Sequence, residues 1–243
     1  MVVMLNTFIY ILKTWVFKVP EGVSLEISAL ADPMACATRT LERAFLPGIP
    51  YSWDGFGIGK SIVIQGLGPI GILAAAAAKT AGAYPVIGID GVSLRIELAK
   101  KFGVDIVIDL NQCNDIAERI QLVKKLTGNR GADVVLEMAG VPQAFAESLE
   151  LVRPGGKVVE FGHFSNVGTV PINPQILVNK EVDVLGVFAY MNAQIATSLS
   201  LLKLTMDRFP YHELITYRVS LDEARKALEA SHNKTCCKSM ITL

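Results

Sequence analysis

Ser61-Ile62-Val63-Ile64-Gln65-Gly66-Leu67-Gly68-Pro69-Ile70-Gly71 is the stretch whose reading decides the fold. Ile62 to Ile64 is a short apolar run of the kind that forms a buried strand. Gly66, Gly68 and Gly71 complete the spacing G-x-G-x-x-G, and Ile72 to Ala78 continues as an apolar helix. The three glycines serve in turn a tight turn, close approach of the backbone to a pyrophosphate, and close packing of helix on strand. A helix that starts at Pro69 loses nothing from the missing N–H, and its free amides and positive dipole end suit a phosphate. The next apolar run, Tyr84 to Ile89, ends on Asp90, the expected ~20 residues beyond the glycines. Strand, glycine turn, helix, strand and acid together predict a dinucleotide site. A glycine turn alone would fit many α/β folds.

Outward from that unit, strands and helices alternate. Helix Val92 to Phe102 stops at Gly103. Strand Asp105 to Asp109 and an amphipathic helix Asp115 to Leu126 follow, then strand Ala132 to Leu136. Pro142 opens a helix that buries Phe145, Leu149 and Val152; Arg153-Pro154-Gly155-Gly156 reads as a turn into strand Lys157 to Phe161. Glu181 to Phe188 is the last strand of the set. This rhythm predicts a doubly wound, six-stranded parallel α/β sheet, with ligands at the carboxyl ends of its strands. The flanks lie outside it. Met1 to Leu12 and Trp15 to Val19 read as strands, and Pro47 to Gly59 as a flexible connector. Ser220-Leu-Asp-Glu223 reads as a capping box ahead of a helix, before a final strand Lys238 to Leu243.

Bulk properties narrow the function. The chain has 243 residues, 51% hydrophobic and 19% charged, with zero net charge. That balance suits a sheet covered on both faces and gives no electrostatic case for nucleic acid or an anionic membrane. The apolar start reaches Lys13 too early to span a bilayer and lacks the features of a secretory leader. Its four cysteines show no C-x-x-C spacing. A cytoplasmic chain with reduced thiols is the expectation.

The blocks Ala31-Asp-Pro-Met-Ala-Cys36, Gly66-Leu-Gly-Pro-Ile-Gly71, Gly131-Ala-Asp-Val-Val-Leu-Glu137, Arg153-Pro-Gly-Gly-Lys157 and Ile172-Asn-Pro174 together resemble the medium-chain (zinc-type) alcohol dehydrogenase superfamily. The resemblance runs from Val19-Pro20 to the C-terminus. It implies a Rossmann domain over residues 37–211, flanked at 1–36 and 212–243 by remnants of a GroES-like catalytic domain. The cysteine and Gly-His-Glu block that supply most zinc ligands in the family are not in this sequence, so the chain looks like the C-terminal two-thirds of such an enzyme. The family's last zinc-shell position falls on Asp32 or Cys36. One candidate cannot hold a metal that needs three protein ligands, so no zinc site is expected here, and Asp32 is read as a helix N-cap before Pro33. Cys36 reads as a small buried residue.

The resemblance also implies an NAD-dependent oxidoreductase acting on alcohols, ketones or polyols. The expected cofactor contacts are Gly66, Gly68, Pro69, Ile70 and Gly71 at the phosphates, and Asp90 at the adenosine ribose. Arg95 either flanks that ribose or is a solvated helix residue. Gly162 and Phe188 lie at the nicotinamide end. Asp90 favours NAD, because a 2′-phosphate beside it would cost about 4 kcal/mol per charge pair. His163, His212 and His232 all read as loop residues, and His163 and Tyr190 read more simply as packing or surface groups than as functional ones. No catalytic residue is legible. The alternative reading is a non-catalytic NAD(H)-binding module. A homo-oligomer through the cofactor domain is expected, with Thr169 to Ile172 as a pairing edge.

Overall fold

The structure, a computed structural model, describes residues 16–45 and 56–242. Two N-terminal helices, α1 (Leu25–Ser28) and α2 (Ala31–Phe45), precede β1 (Ile62–Gln65), which is followed by α3 (Pro69–Thr80). β2 (Val86–Asp90), α4 (Ser93–Lys101), β3 (Ile106–Asp109) and α5 (Ile116–Leu126) complete the first half of a sheet. β4 (Ala132–Glu137), α6 (Pro142–Leu151), β5 (Val152–Glu160), α7 (Gln175–Lys180) and β6 (Asp183–Gly186) complete the second. All five strand pairs are parallel, in the order β3-β2-β1-β4-β5-β6. This is the predicted doubly wound Rossmann sheet, and its order reverses between β1 and β4, where such sheets open a crevice.

Strand period assigns the two faces. Ile62, Ile64, Val86, Val134, Leu136 and Val159 point to one side, packing with residues of α2, α3 and α4 and with Leu199 and Leu202 of α8 (Asn192–Thr205). Val63, Ile87, Ile108, Val135 and Val158 point to the other, against Val123 of α5 and Leu149 and Leu151 of α6. Side chains two residues apart share a face, so runs such as Ile62-Val63-Ile64 must be apolar throughout when helices cover both sides. The alanine run Ala74 to Ala78 is buried between layers, where small side chains let α2 and α3 approach closely.

Several local expectations fail for identifiable reasons. Arg153 to Gly156 is not a turn before β5 but a bulge inside it. Pairing steps from Ala132–Val152 to Val134–Lys157, so β5 spends four residues where β4 spends one. Asp133 secures the bulge: its carboxylate accepts from Arg153 Nε at 2.6 Å and from the Ser61 amide and hydroxyl, both at 2.8 Å. Asp32 is not an N-cap, because α2 already starts at Ala31 and the Met34 amide bonds back to Leu30. Residues 16–19 form no strand. The expected strand at Met1 to Leu12, Trp15, and residues 47–55 of the expected connector lie outside the described residues. Thr169 to Ile172 is not a strand either; the sheet edge on that side is β6.

At the C-terminal end, α9 (Tyr211–Leu214) leads into β7 (Ile215–Ser220), and α10 (Ala224–His232) connects it to β8 (Lys238–Thr242). β7 and β8 pair in parallel as a separate two-stranded sheet. The expected capping box does not form. Ser220 is the last residue of β7, paired with Thr242, and its side chain makes no cap bond; a 3-10 turn over Leu221–Glu223 precedes α10 instead. His212 lies in α9 and His232 ends α10, so only His163 of the three histidines is in a loop. All four cysteines are free thiols. Among the described residues, no helix is long and apolar enough to cross a membrane.

The Asp133 carboxyl, although burial pushes its pKa up, is held below its ordinary value by the bonds from Arg153 and Ser61. A depressed carboxylate stabilises the fold above its unfolded pKa, and that contribution is lost as pH falls through the lower folded value. Asp133→Asn is therefore expected to lower unfolding free energy by about 2–3 kcal/mol at neutral pH. The difference from the parent chain should narrow at about pH 3. Urea unfolding followed at both pH values checks this.

Candidate dinucleotide site

The carboxyl end of the sheet is a row of register partners. Gln65 of β1 stands opposite Ile89 of β2 and Glu137 of β4, and Glu137 stands opposite Glu160 of β5. From the first of these ends the chain turns at Gly66, with φ +89°, and a Cβ there would lie 2.7 Å from the Ala139 amide nitrogen. A Cβ on Gly71 would lie 2.0 Å from the Gly66 carbonyl oxygen, so the helix can sit on the turn only with glycine there. Gly68 is different. It has φ −67°, which any residue adopts, and a Cβ on it would meet nothing within 4 Å. Gly68 caps α3, Pro69 occupies its first position, and the amides of Ile70 and Gly71 have no intrahelical acceptor.

Beside this turn lies a cavity of about 510 Å³ lined by Gly66, Gly68, Asp90, Arg95, Arg119 and Lys234, among others. Asp90 is buried, and three of its roughly four acceptor sites are engaged: Oδ2 by the Leu67 amide at 2.7 Å, Oδ1 by those of Gly91 and Val92 at 2.7 and 2.8 Å. It pins the glycine turn to the end of β2, with acceptor capacity left toward the cavity. Arg95 is not a solvated helix residue. Its side chain is 18% exposed, Nη1 lies 4.0 Å from Asp90 Oδ2, and Nε is buried with no hydrogen-bond partner. Arg119 and Glu147, neither of which the sequence pattern singles out, form a buried two-pronged pair at 2.7 and 3.0 Å on the cavity wall. Only the facing of α5 and α6 brings them together.

Gly162 and Phe188 do not line this cavity. Gly162 follows β5 and lies on the Glu137 carboxylate, where a Cβ would come within 2.2 Å of Oε2. Phe188, beyond β6, is exposed and stacks on Phe164 with ring centres 6.5 Å apart. Glu137 is wholly buried, and burial first, then the adjacent Glu160 carboxylate, push its carboxyl up to about 7. His163 Nδ1 lies 2.9 Å from Glu160 Oε1 and 3.5 Å from Glu137 Oε2. The reading of His163 as a bare packing residue thus misses a cluster. Its available signal is an acid closing each of two apolar strands, as Asp90 closes β2.

Among the described residues, Asp32 and Cys36 belong to no group of three metal-ligating side chains. The Asp32 carboxylate accepts a 2.6 Å bond from the Tyr190 hydroxyl, and burial, reinforced by Asp32, pushes the Cys36 thiol up to about 11. Tyr190 is held by that bond, and its own pKa is raised by burial and by Asp32.

A profile of the zinc-binding dehydrogenases matches residues 69–203, more than half of the chain. The chain belongs to the zinc-binding dehydrogenase family. It is 31% identical over 236 residues to a sorbitol dehydrogenase of Bacillus subtilis, covering 96% of this chain and 62% of the relative. An L-threonine 3-dehydrogenase of Pyrococcus horikoshii is 35% identical over 172 residues, covering 71% of this chain and 45% of the relative. Among solved structures, an alcohol dehydrogenase from Thermotoga maritima superposes with a TM-score of 0.82 at 30% identity, covering 93% of this chain and 59% of its own. The chain thus spans less than two thirds of the length of these family members.

Because the Gly162 position already touches a buried carboxylate, Gly162→Ala is expected to cost about 1–3 kcal/mol of stability through overpacking. Chemical denaturation of the variant beside the parent chain measures it.

Proposed function

We propose that this chain is the NAD(H)-binding portion of an oxidoreductase of the alcohol or polyol dehydrogenase type. Gly68 carries the reading. Gly66 and Gly71 are required by protein packing, but Gly68 faces open space in a conformation open to any residue. A glycine with no cause inside the protein fits a backbone that a ligand approaches closely. The residues present suit the group. The Ile70 and Gly71 amides and the dipole of α3 meet a pyrophosphate, and Asp90 and Arg95 meet the adenosine ribose. Backbone at Gly162 and the ring of Phe188 would meet the nicotinamide end, beyond the cavity that Gly68 and Asp90 line. Bound NAD supplies the hydride-accepting ring; the chain binds, orients and shields it. Asp32 is engaged by the Tyr190 hydroxyl and Cys36 is a buried thiol, so these two alone do not hold a zinc ion.

In this reading residues 37–211 form the cofactor domain, and residues 1–36 and 212–243 belong to a catalytic domain. A physical boundary would avoid position 36, which lies inside α2. A non-catalytic NAD(H)-binding module remains the second reading. Small alcohols, ketones or polyols are the substrate class of the first reading. Self-association through the cofactor domain would use the β6 edge rather than residues 169–172. A reducing cytoplasm suits its four free thiols.

Calorimetric titration is expected to give saturable NADH binding, with NADPH weaker by ~10-fold or more from repulsion at Asp90. Lys234 and Arg95 on the same cavity make NADPH the informative control, and equal affinities would remove the NAD assignment. Gly68→Ala should leave stability within ~0.5 kcal/mol while weakening NADH, whereas Gly71→Ala should destabilise the fold itself. Unchanged NADH affinity in Gly68→Ala would refute the pyrophosphate assignment. Turnover of a polyol by this chain would exclude the non-catalytic reading.

A further inference from the structure

Glu137 ends β4, Glu160 ends β5, and the two are register partners. Register partners in a parallel pair project to the same face, so two carboxylates stand side by side at the carboxyl end of the sheet. His163 folds back over them. Its amide donates to Glu160 Oε1 at 3.1 Å, and its Nδ1 lies within 3.5 Å of an oxygen of each acid. One ligand atom from each residue lies within 4.8 Å of the other two, and no other group of this kind occurs among the described residues.

Three features go beyond a cluster of acids. Glu137 Oε2 and Glu160 Oε2 are both buried without a hydrogen-bond partner. Glu137 is 0% exposed, and its other oxygen is held by the Ala139 and Gly140 amides at 2.9 Å, so the carboxylate is fixed with Oε2 aimed at the imidazole. Among the described residues, His163 is the one basic side chain within salt-bridge range of either acid. A buried carboxylate oxygen left without a donor or cation is costly. Glu160 and His163 also line a separate cavity of about 310 Å³ with Pro142, Phe145, Gly168, Thr169 and Val170, which gives an ion entry and room for water.

We propose that Glu137, Glu160 and His163 form a binding site for a divalent transition-metal ion. Two carboxylates and one imidazole match the donor preference of Zn²⁺, Co²⁺ or Mn²⁺. An imidazole is a poor ligand for Mg²⁺ or Ca²⁺, and no thiolate is present to select Cu⁺. Bonds of ~2.1 Å place ligand atoms roughly 3.4 Å apart, so a separation of 4.8 Å must close by about 1.4 Å, through a turn of Glu160 or His163. The ion neutralises the paired carboxylates, satisfies the orphaned oxygens and ties the 161–164 loop to the end of β4. The site shares no residue with Asp32 or Cys36 and does not rest on the dinucleotide reading.

Cobalt(II) titration of the full 243-residue chain under reducing conditions, without nucleotide, tests it. One equivalent is expected to bind with visible ligand-field absorption and no thiolate-to-metal charge-transfer band. Glu160→Gln and His163→Gln should each weaken binding by ~100-fold, with folding confirmed by circular dichroism. In the parent chain, the paramagnetic ion should shift the imidazole NMR signals of His163 and spare those of His212 and His232, which keeps the test valid if a variant does not fold. No ligand-field band at millimolar cobalt, a thiolate band, or unchanged binding in both folded variants would overturn the proposal. So would His163 signals unmoved at saturation.

Discussion

In-register parallel pairing of β1, β4 and β5 sets Gln65, Glu137 and Glu160 in one row at the carboxyl end of the sheet, and the ligand-facing chemistry of the chain hangs from that row. Parallel strands must be joined by crossovers, so every connection that leaves a carboxyl end is a loop entering a helix. The Gly66 turn, Asp90, the Glu137 carboxylate and the 161–163 segment are such loop starts. They converge because the hydrogen-bond register permits no relative sliding once helices cover both faces. A one-residue slip would turn the apolar face of a strand outward.

Close approach between neighbouring loops is the second constraint. The Gly66 turn presses on Met138 and Ala139, and Gly162 presses on Gly140 and Glu137. Asp90 accepts three amide bonds and thereby clamps the first of these turns to β2. Such a carboxylate holds the fold through these three bonds before it meets any ligand. The Arg119–Glu147 pair is similar: it closes the cavity wall by satisfying two buried charges at once, an arrangement stable only while both partners remain.

The sheet was legible because its signals are local or short-range. Apolar runs of strand length, the glycine spacing, and Asp90 at the expected distance can each be read along the chain. The bulge at Arg153–Gly156 was not, since a Pro-Gly-Gly run reads equally as a turn; the Asp133 carboxylate, 20 residues away in sequence, holds it within the strand. The capping box at Ser220 failed for a like reason. A β7–β8 ladder that pairs Ser220 with Thr242 holds the serine in a strand, and a local motif yields to a long-range one.

Hydrophobic period, turn residues and motif spacing thus determined by themselves the doubly wound sheet, the place of the glycine turn and the acid at the end of β2. Tertiary structure alone decided which side chains meet. Tyr190 with Asp32, Arg119 with Glu147, and Glu137 with Glu160 and His163 are contacts between separate elements. Pattern along a chain fixes which face of an element is buried. It does not fix the partner across that face, which depends on strand order, register and helix packing acting together.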